Sequence, residues 1–151
     1  MANEHSVRKD QSTSASRLIE APADAIFAIL VDPARHAEID GSGTVRGSKD
    51  ASPELLKMGS KFGMKMKLVV PYGMRSTVVE FEENKLIAWA HFGKHRWRYE
   101  LEELDGSTMV TETYDWSTAL SPKLLELTGY PKRTLPAIQK TLERLEAVAI
   151  A

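Results

Sequence analysis

The sequence contains no cysteine. That removes disulfides, thiolate metal ligands and cysteine nucleophiles together, and it suits a reducing compartment, so a cytoplasmic location is expected. Nor is there a surplus of charge: 20 Lys+Arg stand against 21 Asp+Glu, a formal charge of −1. A surface built mainly to neutralise nucleic-acid phosphates is therefore not indicated. No apolar run of about 7–15 residues follows the start Met, and none of about 18 occurs anywhere, so neither an export leader nor stable membrane insertion is expected. His91 and His95 flank a predicted turn, but no cysteine, third histidine or paired carboxylates join them, so no metal and no cofactor are expected. Ser42 lacks the strand-to-helix setting of a nucleophile elbow, and no Gly-Lys-Ser/Thr follows Gly41-Ser42-Gly43 to make a phosphate loop. At 151 residues the chain suits one domain, able to bury roughly two thirds of its unfolded surface.

What is present starts with the stretch from His95 to Trp116. Its residues alternate, turn at Asp105-Gly106 and alternate again, which reads as a β-hairpin with a two-residue type I′ turn. The register pairs Leu104 with Ser107, Leu101 with Val110, Tyr99 with Glu112, Trp97 with Tyr114 and His95 with Trp116. One face is thus apolar and aromatic except for Glu112. The other carries Arg96, Arg98, Glu100, Thr111, Thr113 and Asp115. Lys94-His95-Arg96-Trp97-Arg98 interleaves basic and aromatic residues as single-strand nucleic-acid binders do, but Trp97 points away from the basic side, so no nucleic-acid partner is expected.

Along the rest of the chain, residues 1–11 are polar and aperiodic and read as a disordered tail, with residues 12–151 as the folded domain and His5 inert. Ser12 to Glu20 suits a strand. Pro22 and Asp24 open a helix whose face holds Ile26, Phe27, Leu30 and Val31, and Asp32 caps a second short helix to Ile39. Strands follow at Thr44–Ser48, Lys61–Val70, Met74–Glu82 and Leu86–Phe92. The Lys61 strand alternates sharply, with Phe62, Met64, Met66 and Leu68 on one side. A two- or four-residue loop near Glu83-Asn84 pairs Phe81 with Leu86 and Val79 with Ala88. It carries Thr77 and Arg75 inward and leaves Trp89 and His91 outside; a three-residue loop reverses this. Ser121-Pro122 starts a short helical segment ending near Gly129. From Leu135 the 3-4-3-4 spacing of 135, 138, 142, 145 and 149 predicts a long amphipathic helix, with Pro136 marking its first turn or kinking it.

Strand, two helices, about six consecutive antiparallel strands and a long final helix is an α+β order in which a curved sheet wraps that helix. This order resembles the START-like, or helix-grip, superfamily across nearly the whole chain. Three stretches are similar to its polyketide cyclase/dehydrase and lipid-transport branch, the SRPBCC-type proteins. They are Leu18-Ile19-Glu20-Ala21-Pro22-Ala23-Asp24, Ile39-Asp40-Gly41-Ser42-Gly43 and Val110-Thr111-Glu112-Thr113. The resemblance implies a helix-grip fold, with a sheet of about seven strands, two short helices after the first strand, and a cavity between sheet and final helix for a hydrophobic small molecule. None of the three motifs is catalytic.

The candidate lining is Phe62, Met64, Met66, Arg75, Val79, Ala88, Trp97, Tyr99, Glu112 and Tyr114 from the sheet, with Leu135, Ile138 and Leu142 from the helix. The same residues would serve equally as close-packed core, since periodicity does not separate lining from filling. Glu112 stands out as a carboxylate on an apolar face. It either engages a ligand, with a raised pKa, as acid, base or hydrogen-bonding group, or joins a structural network with a tyrosine hydroxyl or Arg75, or stands in water in a flipped register. No catalytic residue is assigned; Glu112, Tyr99 and His95 are the candidates. Binding or transport of a lipid or polyketide-like molecule is the leading expectation. A cofactor-free cyclase or dehydratase is second, and a protein-interaction module of the same fold third.

Overall fold

The structure, a computed structural model, describes residues 4–9, 11–49, 54–67, 71–91 and 93–151. Strand β1 (Glu4–Lys9) and β2 (Ser12–Ile19) precede helix α1 (Ala23–Leu30). A 3-10 turn (Pro33–Arg35) then leads into α2 (His36–Ile39). Six strands follow: β3 (Val45–Ser48), β4 (Lys61–Lys67), β5 (Pro71–Glu82), β6 (Leu86–Ala90), β7 (Arg96–Leu104) and β8 (Ser107–Asp115). Helices α3 (Pro122–Leu127) and α4 (Tyr130–Ala149) close the chain. The expected strand ends at residues 68–70 and at Phe92 lie outside the described residues.

All eight strands form one antiparallel sheet in the order β1-β2-β8-β7-β6-β5-β4-β3, so that β2 joins the meander beside β8. α4 lies across the inner face, burying Ile138, Leu142 and Leu145 completely. This is the helix-grip arrangement. The reason is burial: a sheet with one apolar face must cover that face, and among the described residues the one long amphipathic helix is α4. Arg17 on β2 reaches Glu146 on α4 at 3.1 Å and ties helix to sheet. Within the stretch expected as a disordered tail, Glu4–Lys9 is a strand and pairs with β2 from Lys9↔Ser12 to Glu4↔Arg17. Edge pairing uses backbone groups, which leave no trace in hydrophobic periodicity.

The helices start where the chain gives them partners. Pro22 precedes α1 without a side-chain cap of its own. Instead Glu103, near the tip of the β7–β8 hairpin, accepts the Ala23 N–H at 2.7 Å, placing a carboxylate at the positive end of the helix. Asp32 caps the 3-10 turn by accepting from Ala34 N at 3.0 Å. Gly129, at φ 75°, separates α3 from α4, and Pro136 lies exposed inside α4.

The β7–β8 register is the expected one, from Leu104↔Ser107 through Tyr99↔Glu112 and Trp97↔Tyr114 to Arg96↔Asp115. Asp105 and Gly106 have φ of 53° and 83°, as a type I′ turn requires. The β5–β6 pair departs from expectation in two places. Glu82 pairs with Leu86, so three residues form the turn, and a register shift falls between Val78 and Glu80. The turn reverses β6: Ile87 and Trp89 face inward, and Ala88, opposite Arg98, faces the outer side. The bulge at Val79 reverses β5 upstream of it: Ser76 and Val78 face inward, while Arg75, opposite Gly63 and exposed, faces outward. Arg75, Val79 and Ala88 therefore do not lie on the inner face as expected. Each one-residue change flips every side chain beyond it.

Candidate functional site

The inner face of β7 and β8 presents Trp97, Tyr99 and Leu101 beside Tyr114, Glu112 and Val110. Glu112 is only 3% exposed, a costly setting for a charge. Burial, chiefly, raises its pKa to about 8, the hydroxyl of Tyr99 hydrogen-bonds the carboxyl and lowers it in part, and the nearby Asp40 raises it further. At neutral pH the group is a protonated acid, able to donate one hydrogen bond. Burial, with Glu112 beside it, likewise holds the Tyr99 phenol well above its ordinary range.

Two buried side-chain oxygens among the described residues have no hydrogen-bond partner: Oε1 of Glu112 and Oγ1 of Thr13. They are close in the sheet. Thr13 pairs with Tyr114, and Ala15, two residues on, pairs with Glu112. Both orphans thus lie on the inner face, where backbone pairing leaves nothing to satisfy them.

Around this pair the inner face is aromatic. Trp89 contacts Tyr99 at 5.6 Å, stacks on His36 at 5.0 Å and meets Phe62 edge-on at 5.5 Å. His36 Nε2 bonds to the Leu30 carbonyl at 2.8 Å, and burial lowers its pKa. Toward the start of α4, Tyr114 contacts Trp97, Trp116 and Tyr130. Its hydroxyl shares a 2.9 Å hydrogen bond with His95 Nδ1. His91 Nδ1 and Ser76 Oγ are 2.7 Å apart; burial, then the neighbouring His95, lowers the His91 pKa to about 4. Burial also lowers that of His95.

Of the residues singled out in the sequence, Phe62, Met64, Met66, Trp97, Tyr99, Glu112 and Tyr114 share this face. Leu135, Ile138 and Leu142 pack on it from α4, Leu135 only partly buried. Trp89 and His91, expected outside, belong to it instead. His36, Asp40, Ser76 and Thr13 were not singled out. His36 was legible, three residues before Ile39 on the same face of a short helix. Asp40 accepts from Ser42 N at 3.2 Å and Val45 N at 3.1 Å, a turn role that its Asp-Gly-Ser setting suggests. The outer side of β7 carries Arg96 and Arg98 around Glu80, each at 2.8 Å, with Asp115 beside Arg98. The hydrogen bond from Arg98 leads the causes that depress the Glu80 carboxyl.

Residues 10–149 match the family described as polyketide cyclase / dehydrase and lipid transport, and the chain belongs to it. It is 46% identical over 138 residues to the uncharacterized protein Rv0088 of Mycobacterium tuberculosis, covering 86% of this chain and 61% of that protein. The chain thus spans about three fifths of the length of the curated relatives it matches. Among solved structures, a protein of Rhodobacter sphaeroides superposes with a TM-score of 0.73 at 12% identity, covering 98% of both chains. An AHSA1-like protein of Aeromonas hydrophila gives 0.61 at 16% identity, covering 100% of this chain and 96% of that one. At these identities the likeness is one of fold.

Proposed function

We propose that the inner face between sheet and α4 binds a hydrophobic small molecule, lipid or polyketide-like, with Glu112, braced by Tyr99, and Thr13 as its polar contacts. The observation that carries this is the pair of unpartnered buried oxygens, on Glu112 and Thr13, set on one aromatic and aliphatic face. A ligand oxygen placed between them would accept from the neutral Glu112 carboxyl and from the Thr13 hydroxyl, satisfying both. Family membership supports the same reading.

The test is native mass spectrometry of the protein as purified, followed by titration of the solvent-extracted protein with a panel of lipids and aromatic ketones. Glu112→Leu should weaken binding roughly tenfold, the equivalent of one lost hydrogen bond. Binding of a carbonyl ligand should also fall as pH rises through about 8, where Glu112 ionises. Failure of every panel member to bind the extracted protein would overturn the proposal. A second reading, cofactor-free cyclase or dehydratase chemistry, is favoured by a carboxyl that titrates near neutral pH, where proton transfer in both directions is accessible. Glu112→Gln should then abolish turnover while binding survives; unchanged turnover would eliminate that role.

A further inference from the structure

Of the eight exposed large apolar side chains among the described residues, four fall between positions 120 and 130: Leu120, Leu124, Leu127 and Tyr130. Leu127 is 84% exposed, Leu120 69% and Leu124 62%. Such a concentration on one surface is not what scattered apolar exposure produces. Helix α3 has no buried residue. Leu125 packs partly against the core; at 100° per residue, Leu124 then lies on the flank about 100° away and Leu127 on the far side about 160° away, with Lys123 about 40° beyond Leu127. The helix therefore points leucines outward that a packed helix would turn in.

The same end of the molecule is basic. Leu120 N donates to Gly93 O at 3.1 Å, and Thr118 Oγ1 donates to Lys94 O at 2.7 Å, which fixes the exposed Lys94 beside the leucine segment. Lys123 follows on α3, and Lys132 and Arg133 stand exposed in the first turns of α4. The Arg133 guanidinium lies 5.9 Å from the Tyr130 ring centre. The one carboxylate on α3, Glu126, is turned back to accept the Trp116 indole N–H at 2.9 Å. A chain of near-zero net charge thus gathers four cations around three exposed leucines, with one exposed acid among them, Glu126, whose carboxylate is engaged by Trp116.

We infer that the segment 117–133, with Lys94, is a docking surface for the face of an anionic lipid bilayer. Leucines that enter the headgroup boundary and lysines that stay at its surface are the two contributions such peripheral binding needs, and neither alone suffices. Docking here is interfacial; no helix among the described residues is long and apolar enough to cross a membrane. The inference stands on surface residues alone and is independent of whether the inner face takes a ligand.

The experiment is co-sedimentation of the full chain with vesicles of phosphatidylcholine alone and of phosphatidylcholine mixed with phosphatidylglycerol. The protein should partition onto the mixed vesicles at least tenfold more strongly, and the preference should shrink as salt is raised. Leu124→Asp/Leu127→Asp should abolish binding, and Lys123→Glu/Lys132→Glu should reduce it at least tenfold, since each basic residue near such a surface contributes about fivefold. These side chains are exposed, and circular dichroism will verify that the variants fold. No partition, equal partition onto both vesicle types, or partition unaffected by the leucine substitutions would each overturn the inference. So would a dimer in light scattering that Leu127→Asp dissociates, because the patch would then belong to a second copy.

Discussion

At Glu112 the chain keeps a carboxyl group out of water and leaves one of its oxygens without a partner, and both facts have consequences that can be measured. The unfolded chain releases that proton near 4.5, the folded protein near 8. Between those values the folded state holds one more proton than the unfolded state, so the contribution to stability declines as pH rises across the window and levels off above it. Glu112→Gln cannot ionise. In urea unfolding it should match the wild type at the acid end and exceed it by up to a few kcal/mol above about 8. A difference that stays constant across the window would show that Glu112 ionises normally. This residue was legible from the hairpin alone, because the Asp-Gly turn sets the register and the register sets the face. The desolvation that raises its pKa follows from the same apolar face, whereas the contribution of Asp40, distant in sequence, does not.

Among the elements, α2 and α4 approach closely at Gly41. Gly41 follows α2, and its N–H donates to Thr141 Oγ1 at 2.8 Å. A Cβ there would lie 2.5 Å from Thr141 N and also collide with the Ala137 carbonyl. Gly41→Ala should therefore push α2 off α4, at a cost of about 2 kcal/mol and roughly 5 °C in Tm; a Tm within about 1 °C of the wild type would refute that packing. Leu142, fully buried on α4, should cost about 3 kcal/mol when cut to alanine, read from the urea midpoint. An unchanged midpoint would mean that α4 is not clamped as described. The β5–β6 hairpin shows where reading by alternation ended. Both a bulge at Val79 and a three-residue turn with Asn84 at φ 62° intervene, and alternation counts residues without seeing either. Burying Trp89 against His36, Phe62 and Tyr99 decided the register.

For the molecule as a whole, buried histidines oppose the carboxyl. The pKa values of His36 and His91 are lowered in the folded state, with burial the first cause for each. Their unfolded value is 6.5, so below it the unfolded chain takes up protons that the folded one does not, and stability falls with pH, for His91 down to about 4. The two histidines outweigh the one carboxyl, so stability should fall as pH drops from 6.5 toward about 4, with His91 contributing no further loss below that, while above 6.5 only the decline due to Glu112 remains. Imidazole NMR resonances of His36 and His91 that titrate at the ordinary value would contradict this. At the same scale, anionic-vesicle binding through segment 117–133 and ligand binding on the inner face use different surfaces, so substitutions at Leu127 and Glu112 should leave each other's measurement unchanged.

By itself the sequence determined the element order from β2 onward, the β7–β8 register, the Asp32 cap and the amphipathic face of α4. These follow from residue spacing and turn chemistry, which act over a few positions. Tertiary structure alone decided the rest. The polar residues Glu4–Lys9 became an edge strand because β2 offered unpaired backbone groups. Trp89, His91 and Ser76 turned inward, and Arg75 and Ala88 outward, because a bulge and an odd turn were accommodated to bury aromatic surface. The two orphaned oxygens share one face because β2, far away in sequence, pairs with β8. Pairings between distant strands are chosen by the total surface they bury, a quantity no local pattern contains.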